Sequence, residues 1–294
     1  MSLLSTIIRI RFKQGDDKRD AGLKTPDDIL RKDDIVYGSD RKRQVMDIYY
    51  PKEYEKDKLP VIVSVHGGGW VYGDKERYQY YCMDLAQRGF AVVNFTYRLA
   101  PRFKYPAQLE DVNLVFRWIT DHSDEYRLDT DNIFAVGDSA GGHLLSLYCC
   151  FLNDDDAAAE YDFKAPDSLR IKAVALNCGV YEIKLDEKGM TKTLMKDLLK
   201  EKGTDKELRQ ISPLYHVCKG FPDSFVMTAT GDFLLEQAMP MYEALKNKGV
   251  NAEYHCYGDD ENKLPHVFHC NIRTEDARIC NDDECDFFRK RISN

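Results

Sequence analysis

No stretch of this sequence approaches the ~20 consecutive apolar residues that a membrane-spanning helix needs. Nor does it carry an excess of basic residues: 42 Lys and Arg stand against 50 Asp and Glu, a net charge of -8, and the basic residues scatter without a stripe. The first lack argues against a membrane protein, the second against a nucleic-acid footprint or an anionic membrane partner. No linker rich in Pro, Gly or Ser divides the 294 residues and no internal repeat occurs, so a single domain over 1–294 is expected. The opening, Met1 to Arg11, has no basic region ahead of its few apolar residues and no small-residue cleavage site, and does not read as a signal peptide. Nine cysteines, an odd number, lie mostly inside apolar segments, without a Cys-x-x-Cys pair. Reduced thiols in a cytoplasmic protein, with no metal site, fit that pattern.

What is present is an ordinary globular composition, 43% hydrophobic and 31% charged, arranged as alternating strand and helix signals. Residues 1–34 read as a charged, irregular arm with one apolar segment at Leu4 to Ile10, either packed over a pocket mouth or frayed. Ile35 to Gly38 and Gln44 to Pro51 then read as an edge hairpin. The runs 61–65, 91–95, 133–136, 171–176, 225–230 and 252–257 read as further strands, most of them separated by helical periodicity. The expected fold is therefore α/β: a mostly parallel, eight-stranded sheet with helices on both faces. Pro240 should delay or kink the helix that ends near Gly249. Residues 153–167 read as an acidic surface excursion, and 181–213 as either a small lid or a plain helical connection.

The chemistry centres on Gly137-Asp138-Ser139-Ala140-Gly141, between an apolar strand and a helix-like run. In that context Gly-x-Ser-x-Gly is a nucleophile elbow: a turn tight enough to lift Ser139 clear of the sheet needs neighbours without bulk. A serine hydroxyl is a poor nucleophile until a base takes its proton and a carboxylate holds that base. Downstream strand ends supply both in the order the elbow implies, Asp232 after the strand 225–230 and His266 after 252–257. His269 is the rival base, and Asp259, Asp260 and Glu236 are rival acids, better read as a helix start and solvated charges. His143 reads as structural, and Asp138 as a brace for its loop. His66-Gly67-Gly68-Gly69 follows a strand, where amides free of Cβ bulk can point at one spot; Gly67 and Gly68, with Ala140, are the expected oxyanion donors. A phosphate cradle would want Lys and Ser or Thr after the glycines, and Trp70-Val71-Tyr72 supplies neither. Trp70, Tyr181 and Phe233 are candidate pocket residues.

Taken together, His66 to Trp70, Tyr97 to Pro101, Gly137 to Gly142, Gly231-Asp232 and the His266 loop resemble the α/β-hydrolase carboxylesterases of the hormone-sensitive-lipase group. The resemblance is nearest to the small bacterial esterase and acetyl-hydrolase branch related to feruloyl esterases and kynurenine formamidases, and it runs from about residue 35 to 292. It implies a Ser139-His266-Asp232 triad, an oxyanion hole at Gly67, Gly68 and Ala140, and cofactor-free hydrolysis of short acyl esters, with a small-molecule ester as partner and a homodimer left open. Departures are Phe233 where Pro is common after the acid, Val267 where Gly usually follows the histidine, and Arg102 where Glu often follows Ala-Pro. The same triad would serve an amide or formamide hydrolase. A non-catalytic receptor on this fold would normally have lost a triad member, and here all three candidates stand.

Overall fold

The computed structural model describes residues 2–54, 57–167, 169–185 and 190–293. Its frame is a sheet of eight strands: β1 (Ile29–Val36), β2 (Val45–Pro51), β3 (Leu59–Val65), β4 (Ala91–Thr96), β5 (Leu128–Asp138), β6 (Ile171–Asn177), β7 (Asp223–Ala229) and β8 (Ala252–Tyr257). The strands lie in the order β1-β2-β4-β3-β5-β6-β7-β8. β1 pairs antiparallel with β2, and β2 with β4; the remaining pairs are parallel. The central strands are β-branched and apolar because both of their faces are covered, which is why they read as continuous runs.

Helices α2 (Lys75–Ala86) and, at the C-terminal end of the chain, α9 (Glu275–Arg289) cover one face, burying Tyr81, Leu85, Phe287 and Phe288. On the other face lie α3 (Ala107–His122), α4 (Ala140–Asn153) and α8 (Leu235–Asn247), which bury Val112, Leu144 and Met241. Each such side chain taken from water contributes about 1.5–3 kcal/mol. α8 begins at Leu235 and carries Pro240 inside it, so the proline does not delay the helix as its sequence suggested.

The N-terminal segment departs most from expectation. Residues 3–20 are not irregular: they form α1 (Leu3–Asp20), capped by Ser2, whose Oγ accepts from Ser5 N at 3.1 Å. Ile8 is buried and Leu4 partly so, and Arg9 donates to the carbonyls of Val71 (2.5 Å) and Ala100 (3.0 Å). The first strand also starts at Ile29, ahead of the hairpin read from Ile35. Within 153–167 a short helix α5 (Asp155–Ala158) forms. Residues 181–213 carry α6 (Met190–Leu198) and α7 (Asp205–Gln210), while 186–189 of that segment lie outside the described residues. α6 holds α1 through Asp197, which accepts from Ser2 Oγ at 2.6 Å and from Ser5 Oγ. Among the described residues no helix is long and apolar enough to cross a membrane, and all nine cysteines are free.

Candidate active site

Parallel strands deliver their C-terminal ends to one edge, and four of the five neighbouring strands from β3 to β8 carry the candidate residues there. β3 ends at the glycine turn, β5 at Ser139, β7 before Asp232 and β8 before His266. Ser139 has φ 53 and ψ -118, a strained conformation for a residue with a side chain. It persists because the turn is clamped: Ser139 N donates to Asn177 O at 3.0 Å and Ser139 O accepts from His143 N at 3.1 Å. Gly141 is required by close approach, since a Cβ there would stand 1.9 Å from Val65 O. With α4 starting at Ala140, Ser139 occupies the positive end of that helix, where developing negative charge is favoured.

Asp232 and His266 are brought together: Nδ1 of His266 lies 2.6 Å from Oδ1 of Asp232. Their two loops are tied by the amide of Gly231 donating to Leu264 O at 2.9 Å. Asp232 also accepts from Leu234 N at 2.8 Å and from Thr228 Oγ1 at 3.1 Å. Burial pushes its carboxyl up, but the hydrogen bond and charge of His266 outweigh this and hold it below the usual carboxylate range. An ionised Asp232 fixes the proton on Nδ1 and leaves Nε2 as the basic nitrogen. Val267 follows at φ 52, left-handed, where the resemblance places a glycine. The exposed ring of Phe233 covers the imidazole with centroids 4.3 Å apart.

Ser139 and His266 open into one cavity of about 480 Å³, shared with Gly67, Gly68, Gly69, Trp70, Ala140 and Phe233. The rival His269 is elsewhere: it is fully buried, its Nε2 lies 3.6 Å from Cys270 Sγ, and burial pushes its pKa down to about 3. His143 is structural, with Trp70 Nε1 donating to its Nδ1 at 3.1 Å and its Nε2 lying 2.6 Å from Ile211 O. That pair fixes the Trp70 indole in the cavity wall. Tyr181 does not line the cavity; its ring is fully buried and its hydroxyl donates to Leu176 O at 3.2 Å.

The glycine turn differs from expectation in one donor. Gly67 N–H is already given to Tyr78 Oη at 3.0 Å, and Tyr78 in turn donates to Asp138 Oδ2 at 2.7 Å. Of the expected donors Gly67, Gly68 and Ala140, Gly67 is thus engaged by a side chain, while Gly68 and Ala140 line the cavity together with Gly69. Gly68 needs to be glycine: its φ is 113 and a Cβ would meet Tyr72 O at 2.3 Å. Asp138 is fully buried, which raises its pKa to about 6 against the pull of Tyr78.

α1 roofs part of the cavity, contributing Ile8, Arg11, Phe12, Gly15, Asp16 and Arg19. Phe12 meets Tyr72 edge-on at 5.9 Å, and Asp16 accepts from Tyr72 Oη at 2.7 Å and pairs with Arg19 at 2.9 Å. From the 181–213 segment come Glu182, Ile183, Lys184, Met190 and Leu194. Gln237 of α8 anchors the start of that segment, its Oε1 accepting from the amides of Tyr181 and Glu182 at 2.9 Å each. Nothing in the sequence marked Tyr78 or Gln237 as part of the site; of the two readings of the N-terminal arm, packing over the pocket mouth is the one the structure shows. Among the described residues, Cys178, Asp232 and His266 form a group whose donor atoms could converge on an ion.

Comparison with known proteins agrees with this architecture. The model of the BD-FAE family matches residues 46–245. Esterase LipC of Mycobacterium tuberculosis is 27% identical over 221 residues, which cover 72% of this chain and 54% of LipC. Arylacetamide deacetylase of Bos taurus is 35% identical over a shorter stretch, 37% of this chain and 28% of that protein. The chain thus spans about half the length of LipC and of the related LipM (52%) and LipQ (53%). Among solved structures, esterase B of Lactobacillus rhamnosis superposes with a TM-score of 0.88 at 24% identity, covering 98% of this chain and 96% of that one. The carboxylesterase EstE1 from a metagenomic library gives 0.78 at 22% identity over the full length of both chains. A sheet of this order, an elbow at the end of β5 and a family match over two thirds of the sequence lead to one assignment: the chain belongs to the BD-FAE family and has the α/β-hydrolase fold of the esterases.

Proposed function

We propose that the protein is a serine carboxylesterase acting on small acyl esters, working as one unit with 181–213 as a lid. Ser139 Oγ attacks the ester carbonyl, His266 takes the hydroxyl proton through Nε2, and Asp232 holds the imidazole and balances its charge. The tetrahedral oxyanion faces the amides of Gly68, Gly69 and Ala140. The C–O bond then breaks, the proton on His266 leaves with the alcohol, and water repeats the sequence to free the acid from Ser139. The observation that carries this reading is the 2.6 Å Asp232–His266 pair opening into the same cavity as the strained Ser139. The serine and histidine share the cavity without a hydrogen bond among the described residues, a separation that substrate binding closes in such enzymes.

A cavity of about 480 Å³ roofed by α1 and walled by Trp70, Ile183 and Leu194 suits a short acyl chain and a modest alcohol. The test is hydrolysis of p-nitrophenyl esters from acetyl to octanoyl by the wild type and by Ser139→Ala. The expected result is a rate that falls with chain length and disappears in the variant; equal rates for both proteins reject the proposal. Faster turnover of an N-formyl aryl amide than of any ester would move it to amide and formamide hydrolysis by the same residues.

A further inference from the structure

Cys178 takes no part in the chemistry above, yet it stands beside it. It follows β6 directly, so Cys178, Asp232 and His266 close three adjacent strands, β6, β7 and β8. Its Sγ, a carboxylate oxygen of Asp232 and a ring nitrogen of His266 all lie within 4.8 Å of one another. The thiol is held there by backbone: Cys178 has φ 49, and its amide donates to Met227 O at 2.7 Å. A second soft atom, Met227 Sδ, is 3.9 Å from the sulfur. Cys82, Cys149, Cys150, Cys270, Cys280 and Cys285 are also buried, but none of them belongs to a group of this kind among the described residues.

We infer that Cys178, Asp232 and His266 form a binding site for a thiophilic divalent cation, zinc or cadmium, and that its occupation switches hydrolysis off. Metal bonds of about 2.0–2.3 Å to S, N and O place tetrahedral ligand atoms roughly 3.2–3.7 Å apart, so side-chain shifts of about an ångström suffice. The donor set of thiolate, imidazole and carboxylate selects zinc-like ions over magnesium or calcium. The S–H bond breaks as the S–metal bond forms and its proton passes to solvent; with the metal on Nδ1, the proton held there exchanges through solvent to Nε2, and no atom changes oxidation state. The partly exposed imidazole, which lines the cavity, opens the path to the site. Binding takes the carboxylate away from Nδ1 and fixes the ring, so the base is lost. The site stands on geometry alone; the inhibition rests on the hydrolase reading.

The test uses the full chain with the two accessible thiols removed, Cys218→Ser and Cys256→Ser, after stripping with a chelator. Cadmium should produce a thiolate-to-cadmium charge-transfer absorption that saturates near one equivalent and that zinc displaces. Adding Cys178→Ser should abolish the band; His266→Gln, which keeps the thiol, should raise the cadmium needed by roughly tenfold or more. A band that survives Cys178→Ser, or is indifferent to His266→Gln, overturns the site. A melting curve checks Cys178→Ser, and if it does not fold the His266→Gln titration decides. In the second arm zinc should inhibit p-nitrophenyl acetate hydrolysis reversibly, with a half-inhibitory concentration at least tenfold higher without Cys178. A band without inhibition overturns the switch alone. Absence of any hydrolysis is a failure of the functional proposal, and the same titration on Ser139→Ala still decides the site.

Discussion

Tyr78 donates its phenolic proton to Asp138 at 2.7 Å, one residue before Ser139, and the same oxygen accepts the amide of Gly67 at 3.0 Å. One hydroxyl from α2 thus joins the elbow at the end of β5 to the glycine turn at the end of β3. The two loops that the proposed mechanism aims at one carbonyl oxygen are held in register by it. Tyr78→Phe should leave the fold intact while freeing Gly67 N–H and taking the donor from a buried carboxylate. We expect kcat on p-nitrophenyl acetate to fall about 10- to 100-fold with little change in KM, because the turn's remaining amides drift from the oxyanion position. A variant with wild-type kcat would mean that the turn holds its shape without the tyrosine.

Asp232→Asn keeps the shape of the acid but removes its charge. The amide can present its N–H to Nδ1, which puts the imidazole in the wrong tautomer, and loss of about 10³–10⁴ in kcat is expected. Ser139→Ala should be at background, and a fluorophosphonate probe should label the wild type and not that variant. Labelling of Ser139→Ala at another serine would displace the nucleophile assignment.

α1 lays Phe12, 39% exposed, between solvent and the cavity. Phe12→Ala should open the roof without disturbing Ser139 or His266. The expected outcome is a severalfold rise in the ratio of octanoyl to acetyl ester kcat/KM, read from the same substrate series. An unchanged ratio would place the acyl chain against the Trp70 and Leu194 wall instead.

The sheet, the elbow and the acid and histidine loops were legible because each is a local pattern: β-branched runs bounded by turns, and functional residues immediately after them. What escaped was decided by distant partners. α1 has Leu4, Ile8 and Phe12 at helical spacing, but charge dilutes the pattern, and the helix is held by Asp197 of α6 and the carbonyls of Val71 and Ala100. The role of Gly67 depended on Tyr78, eleven residues on and in another element. Tyr181 follows a strand end as pocket residues do, yet its ring turns back to Leu176 and fills the core. Spacing alone cannot say which of three consecutive amides is already engaged.

Glu284 provides a test through stability. It sits on α9, fully buried, its carboxylate accepting from Tyr81 Oη at 2.9 Å and from Asn177 Nδ2 at 2.6 Å. Burial raises its pKa from 4.5 to about 7 against the pull of those two donors. Below pH 4.5 the folded and unfolded chains both hold the proton. Between 4.5 and about 7 the unfolded chain releases a proton that the folded chain keeps, so stability falls as pH rises through this window, and above it the loss is complete. A shift of this size corresponds to a loss on the order of 3 kcal/mol. Glu284→Gln removes the titration, and the new amide has a place to go: Asn177 Oδ1 is buried without a partner, so a turn of the Asn177 amide lets it accept. The variant should therefore match the wild type near pH 5 and exceed it by roughly 2–3 kcal/mol at pH 8 in urea unfolding. Asp138, also raised by burial, titrates in both proteins and largely cancels in the difference. A stability difference that is the same at both pH values would mean that Glu284 is already ionised in the folded chain at pH 5.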